Sequence, residues 1–106
     1  MNIDFEREGG YAPLRLKYRA NTEELPRDVA EKILDLIDRS GILELKQEDI
    51  QSPAKYPDVF SYRITLSEDG GGKSLTFNDI TAPDSLRPLL TFLQELALEK
   101  LRSGNR

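Results

Sequence analysis

Twice along this chain, apolar and polar residues alternate on both sides of a glycine turn, and apolar residues at helical spacing then follow. Alternation with a period of two is typical of a strand with one buried face, and apolar residues at every third or fourth position are typical of an amphipathic helix. A glycine turn between two alternating segments favours a hairpin. The sequence therefore predicts the order ββα-loop-ββα, an α+β fold with two helices packed on one face of a four-stranded antiparallel sheet.

The first predicted hairpin has outer faces of opposite charge. Gly9 and Gly10 separate its two strands, and glycine permits the positive φ angles that a tight turn requires. The outer face of the first strand is acidic and that of the second is basic; the acids are Asp4 and Glu6, and the bases are Arg15, Lys17 and Arg19. Because opposite charges on neighbouring strands attract, we expect cross-strand ion pairs.

The two predicted helices differ in the width of their apolar stripes. The first is expected to begin at Pro26, which suits a first helical turn, and to end at Gly41, a typical C-cap residue. Its stripe consists of Val29, Ala30, Ile33, Leu34 and Ile37. The stripe of the last helix is broader and consists of Leu86, Leu89, Leu90, Leu93, Leu96, Ala97 and Leu101. Residues 44–58 contain two prolines and no regular pattern, which predicts a long loop.

Length and charge limit the classes of protein to consider. The chain has 106 residues, the size of one domain, and we expect residues 1–102 to form it and residues 103–106 to be a frayed tail. The formal net charge is -4, so phosphate backbones and anionic membrane surfaces repel the protein. We therefore expect a protein that binds neither nucleic acid nor membrane. We also expect it to be a monomer. The first residues show no signal peptide, which predicts a cytoplasmic protein.

The chain contains no cysteine and no histidine. Disulfides, thiolate metal sites, histidine-containing zinc sites and Ser-His-Asp triads are therefore excluded. The run from Gly70 to Ser74 superficially resembles a phosphate-binding loop, but Ser67 stands where the first glycine is needed, and a strand is predicted to follow. We expect no cofactor, no metal and no enzymatic activity. An enzyme that works through carboxylates alone is the remaining catalytic alternative.

Two tyrosines lie outside every periodic face. Tyr11 follows the glycine pair, and Tyr56 precedes a proline, so both fall in predicted loops. Tyrosines exposed in loops are frequent anchors of protein interfaces. The equally weighted alternative is that each ring covers its own loop.

Three stretches of the sequence resemble the emfourin family, the proteinaceous inhibitors of protealysin and related thermolysin-like metallopeptidases. The first stretch runs from Phe5 to Leu14. The second runs from Phe60 to Asp79 and includes the glycine turn. The third runs from Ala82 to Leu90, where Pro83 and the later Leu-Arg-Pro-Leu-Leu are the most distinctive residues. The stretches occur in the family's order and span nearly the whole chain.

The resemblance implies a cytoplasmic inhibitor of a zinc peptidase. Without histidine or cysteine, the chain offers zinc only carboxylates such as Asp58, which are weak ligands, so steric blocking of the active-site cleft is the expected mechanism. The candidate loops are Glu8–Ala12 and Gln47–Val59. Gly9, Gly10 and Tyr11 are predicted to shape the contact surface, and Tyr56, Pro57 and Asp58 are predicted to touch the partner.

An interaction module unrelated to peptidases is the alternative function. Such an adaptor would use the polar face of the sheet, where four cations form a basic stripe: Arg15, Lys17, Arg19 and Arg63. Pairing of these cations with Asp4 and Glu6 would instead neutralise the stripe.

Overall fold

A computed structural model of the chain describes residues 1–9, 15–50 and 59–104, with side chains up to residue 102. The elements, in chain order, are β1 (Asn2–Gly9), β2 (Leu16–Asn21), α1 (Arg27–Ser40), β3 (Phe60–Glu68), β4 (Gly71–Asn78) and α2 (Arg87–Gly104). Short 3-10 helices at Gln47–Asp49 and Asp84–Leu86 lie before β3 and α2. The predicted α+β class and the order ββα-loop-ββα are confirmed.

The four strands form one sheet in the order β2-β1-β3-β4, and every neighbouring pair is antiparallel. The two hairpins are therefore joined side by side through β1 and β3. The register between β1 and β2 places Asp4 opposite Arg19 and Glu6 opposite Lys17. The expected charge pairs are thus directly opposite each other on the outer face.

The core fills the space between the inner face of the sheet and the two helices. Every strand contributes alternate apolar residues to the core, among them Ile3, Phe5, Leu16, Tyr18, Tyr62, Ile64, Leu66, Leu75 and Phe77. The helices contribute Ile33, Ile37, Leu89, Leu90, Leu93 and Ala97. Gly41 ends α1 in the left-handed conformation, at φ 70°, as the sequence predicts. None of the described helices is both long and apolar enough to cross a membrane.

Two leucines of the predicted apolar stripes are exposed. Leu34 is 42% exposed because α1 turns Ile33 and Ile37 into the core, and Leu34 lies on its flank. Leu101 is 62% exposed. The helix continues to Gly104, inside the segment for which we expect fraying.

Candidate functional site

Both predicted partner-binding loops join the sheet at the same end. β1 ends at Gly9, which pairs with Phe60 at the start of β3, and Arg7 pairs with Leu16 at the start of β2. Residues 10–14 therefore leave and re-enter the sheet at this end. Residues 51–58 lead into it just before β3. We call this region, where β1 and β4 end and β2 and β3 begin, the loop end of the sheet.

Of the six predicted contact residues, Gly9 lies within the described part of the chain. Gly10, Tyr11, Tyr56, Pro57 and Asp58 lie outside the described residues. Gly9 adopts φ 105°, and a Cβ atom built there would stand 2.8 Å from the backbone oxygen of Val59. A side chain at this position would therefore be strained and would also push β1 away from the residue that precedes β3. Glycine allows the attachment points of the two loops to lie this close together.

Arg7 connects three elements beneath the loop end. It has the inward orientation of Ile3 and Phe5, so its side chain lies between the sheet and α2. Its guanidinium carbon is 4.3 Å from the centroid of the Phe60 ring, and its Nη1 donates to Oε1 of Gln94 at 2.6 Å. The Nε atom of Arg7 is buried and has no hydrogen-bond partner among the described residues. Arg7 thus joins the end of β1 to the start of β3 and to α2.

Asp79, which follows β4, connects β4 to β3 at the loop end. Its carboxylate accepts a hydrogen bond from the backbone N–H of Phe60 at 3.0 Å and one from the hydroxyl of Tyr62 at 2.5 Å. Burial, followed by the hydrogen bond and the negative charge of Asp79, raises the pKa of Tyr62 above its ordinary value. Tyr62 therefore remains a protonated donor at neutral pH, and the start of β3 is held to the end of β4.

The connection between β4 and α2 is a third segment at the loop end. The buried Asn78 accepts hydrogen bonds from the backbone N–H groups of Ile80 and Thr81, at 2.8 and 2.9 Å, and so fixes the turn. Arg87 donates to Asp84 at 3.1 Å and to the backbone oxygen of Asp79 at 3.3 Å. Ile80 is 61% exposed on this ordered turn. An exposed apolar side chain on a fixed backbone is suited to contact with a partner.

Sequence reasoning missed Arg7, Asp79 and Ile80. Arg7 interrupts an apolar alternation and was not distinguished from the surface cations. Its parity with Ile3 and Phe5 is the signal that could have assigned it to the inner face. Asp79 gave no local signal, because its partner Tyr62 is 17 positions away.

The cations of the outer face are paired with acids. Arg15 contacts Glu8 at 2.7 Å, Arg19 contacts Asp4 at 3.1 Å, and Glu6 receives both Lys17 at 3.5 Å and Arg63 at 2.6 Å. The outer face is therefore a ladder of opposite charges rather than a free basic stripe. This is the neutralised arrangement that the sequence left open as the alternative.

Within residues 1–9, 15–50 and 59–102, no three acidic, cysteine or histidine side chains are grouped so that they could hold a metal ion.

Comparison with known proteins identifies a family. A family model described as Emfourin matches residues 5–94, which is most of the chain. A search of curated proteins gave no match, and neither did a search of solved structures. The matched range begins in β1, ends in α2 and includes all three segments of the loop end. The resemblance noted in the sequence is therefore confirmed, and the chain belongs to the emfourin family.

Proposed function

We propose that this protein is a proteinaceous inhibitor of a thermolysin-like zinc metallopeptidase, and that it acts in the cytoplasm. Membership of the emfourin family is the observation that carries the proposal. The convergence of three connecting segments at one end of the sheet supports the location of the contact surface. The chain is proposed to bind its target without catalysing a reaction of its own.

The proposed mechanism is steric occlusion of the peptidase cleft. Residues 8–12 and 47–59 lie across the cleft, and Ile80 contributes an apolar contact beside them. Because the chain has neither histidine nor cysteine, no imidazole or thiolate removes the zinc from the enzyme. Arg7, Gly9 and Asp79 fix the attachment points of the loops. A fixed base reduces the conformational entropy lost on binding.

A direct test measures cleavage of a peptide substrate by thermolysin and by a protealysin-like enzyme, with and without an excess of this protein. The expected result is a loss of activity that added zinc does not restore, which separates occlusion from removal of the metal. Full activity of both enzymes in the presence of folded protein would contradict the proposal.

The contact surface is tested with substitutions at both ends of the sheet. Tyr11→Ala and Tyr56→Ala are each expected to weaken inhibition about tenfold or more, since tyrosine anchors contribute about 1.4 kcal/mol or more to binding. Ile80→Ser is expected to weaken it less. Leu43→Ser is the matched control, because Leu43 is an exposed apolar residue at the opposite end of the sheet, 48% exposed where Ile80 is 61%. If Leu43→Ser weakens inhibition and the loop-end variants do not, the assigned surface is wrong.

A further inference from the structure

The two edges of the sheet are protected to different degrees. At β4, the side-chain amide of Gln47 donates to the backbone oxygen of Thr76 at 2.9 Å and accepts from its N–H at 2.8 Å. Lys73 donates to the backbone oxygens of Leu43, at 2.6 Å, and Leu45. The segment that follows α1 therefore covers this edge. No comparable cover lies on β2 among the residues that the structure describes.

The hydrogen-bond pattern identifies the free groups of β2. The N–H of Thr22 donates to the oxygen of Met1 at 2.9 Å. In an antiparallel ladder, successive residues direct their backbone groups alternately toward and away from the partner strand. The backbone groups of Tyr18 and Ala20 therefore face β1, and those of Lys17 and Arg19 face away from it. The described part of the chain offers these two N–H and two C=O groups no backbone partner.

A groove lies beside this open edge on the inner side. It has a volume of about 440 Å³ and lies between β2 and α2. Its apolar lining consists of Tyr18, Ala20, Leu25 and Leu96, and its charged lining residues are Arg19, Glu24, Glu99 and Lys100. An added strand would direct every second side chain into this groove and the others onto the outer face of the sheet. The inner positions of such a strand therefore favour apolar residues.

On the outer side of the same edge, the positive charges lie closer to the free edge than the negative charges do. Arg15, Lys17 and Arg19 lie on or beside the edge strand, whereas the acids that pair with them lie one strand further in, on β1. The Arg19 side chain is 79% exposed and contacts Asp4 only through Nε, which leaves both Nη groups without a partner in the described ranges. A strand with acidic residues on its outer side would bind these groups.

The same cations oppose pairing with a second copy of this chain. If β2 paired with β2 of another copy in antiparallel orientation, Lys17 and Arg19 would lie opposite or beside each other. Like charges opposite each other destabilise a sheet, and charged edge strands are a common defence against self-association. The charge pattern thus favours a different, acidic partner strand.

We propose that the β2 edge binds an extended segment of another protein in which acidic residues alternate with apolar ones. The segment adds a fifth strand to the sheet: its backbone pairs with Lys17 and Arg19, its acids contact their side chains, and its apolar residues enter the groove. This interaction is independent of the peptidase inhibition proposed above.

The test is an NMR titration of the ¹⁵N-labelled full chain with a synthetic peptide of alternating aspartate or glutamate and valine. The expected result is saturable shifts of the Lys17, Arg19 and Ala20 amides, with slower hydrogen exchange at Lys17 and Arg19. A peptide with lysine in place of the acids is expected to bind at least tenfold more weakly. No saturable shift in β2 with the acidic peptide, or equal binding of both peptides, would overturn the proposal.

Variants separate the charge from the backbone contribution. Arg19→Glu is expected to lower the affinity for the acidic peptide at least tenfold and to leave peptidase inhibition unchanged. Arg39→Glu is the matched control, since Arg39 is a similarly exposed, paired arginine on α1 (76% against 79%), and it is expected to change nothing. Lys17→Pro removes one outward N–H without removing a hydrogen bond to β1, and it should lower the affinity for the peptide. If Lys17→Pro unfolds the chain, the result with Arg19→Glu alone tests the proposal.

Sedimentation of the unliganded chain tests the alternative occupant. A dimer that forms with increasing concentration and slows hydrogen exchange at the Lys17 and Arg19 amides would show that a second copy occupies the edge, and the proposal would be wrong. A monomer at all concentrations is the expected result.

Discussion

The two ends of the sheet are constructed in different ways. At the end opposite the loop end, which we call the hairpin end, the two-residue turn Asp69–Gly70 joins β3 to β4, and Gly70 supplies the positive φ of 79°. At the loop end, no such turn joins the described strands. There Arg7 contacts Gln94, 87 positions away, and Asp79 contacts Phe60, 19 positions away.

This difference predicts where single substitutions have large effects. A tight turn requires little more than one residue that accepts positive φ, so its other positions tolerate change. At the loop end, Arg7 and Asp79 each hold two or more elements, and Gly9 permits a close approach of two strands. The surface proposed to meet the peptidase therefore rests on a few residues whose loss alters both stability and inhibition.

The largest expected effect is that of Asp79→Ala. The change leaves the hydroxyl of the buried Tyr62 and the N–H of Phe60 without their acceptor, and we expect the free energy of unfolding to fall by about 3 kcal/mol. Urea unfolding monitored by circular dichroism measures it. The control Asp69→Ala removes an exposed acid at the hairpin end and should cost about 0.5 kcal/mol or less. Equal losses of unfolding free energy in the two variants would contradict the proposed difference between the loop end and the hairpin end.

Two glycines with positive φ provide a matched pair. Gly9→Asn is expected to cost about 2 kcal/mol or more, because the backbone is strained and the new Cβ meets the oxygen of Val59. Gly70→Asn is expected to cost about 0.5 kcal/mol, since asparagine accepts the left-handed conformation and nothing lies within 4 Å of a Cβ there. Thermal unfolding compares them. Inhibition should weaken only in Gly9→Asn; weakening in Gly70→Asn would place the binding surface elsewhere.

The hairpin end and the core could be predicted from sequence because their signals are local. The alternation of Tyr62, Ile64 and Leu66 fixes the inner face of β3, and Gly41 and the glycines after Asp69 mark the ends of elements. Opposite charges on β1 and β2 predicted the cross-strand pairs. In each case, the residues that interact lie within one or two neighbouring elements.

The loop end could be predicted only in part. The loops themselves are visible from their prolines, glycines and tyrosines, and the strand order then places their ends together. The roles of Arg7 and Asp79 depend on partners brought together by the fold, and the same holds for Gln47, which bonds to Thr76 29 positions away. No local pattern distinguishes such residues from solvent-exposed ones. Leu101 shows the converse error: helical periodicity assigns it to the apolar stripe of α2, yet the residue is 62% exposed.

A smaller effect is expected for Arg7→Met. Methionine retains apolar bulk next to Phe60 but loses the hydrogen bond to Gln94 and the cation–π contact, which together contribute about 1 kcal/mol. Because the attachment points of β1 and β3 are then less firmly held, we expect weaker inhibition along with this modest loss of stability. The control Arg27→Met removes an exposed cation of α1 and should change neither quantity. Unchanged inhibition by Arg7→Met would show that Arg7 is not needed to position the loops.

The smallest expected effect on stability at neutral pH is that of a substitution at Tyr62. The contribution of its raised pKa to stability is detected above pH 10. The pKa of Tyr62 is raised in the folded state, mainly by burial and then by Asp79, so above pH 10 the unfolded chain loses a proton that the folded chain keeps. Stability contributed by this shift is present below pH 10 and is lost as the pH rises further, by up to about 1.4 kcal/mol per pH unit. The raised pKa of Tyr18, also due mainly to burial, adds to the same loss.

Tyr62→Phe should therefore cost less than about 1 kcal/mol at pH 7 and should make the decline of stability above pH 10 less steep. Urea unfolding at pH 8, 10 and 11 measures both quantities. Tyr18→Phe is the control for location: it should also flatten the decline, but Tyr62→Phe alone should shift the amide signals of Phe60 and Asp79. A decline as steep in Tyr62→Phe as in the unmodified chain would mean that Asp79 does not hold the Tyr62 proton. Asp79 would then connect β4 to β3 only through the backbone N–H of Phe60. The hairpin end and the loop end would differ less than their contacts indicate.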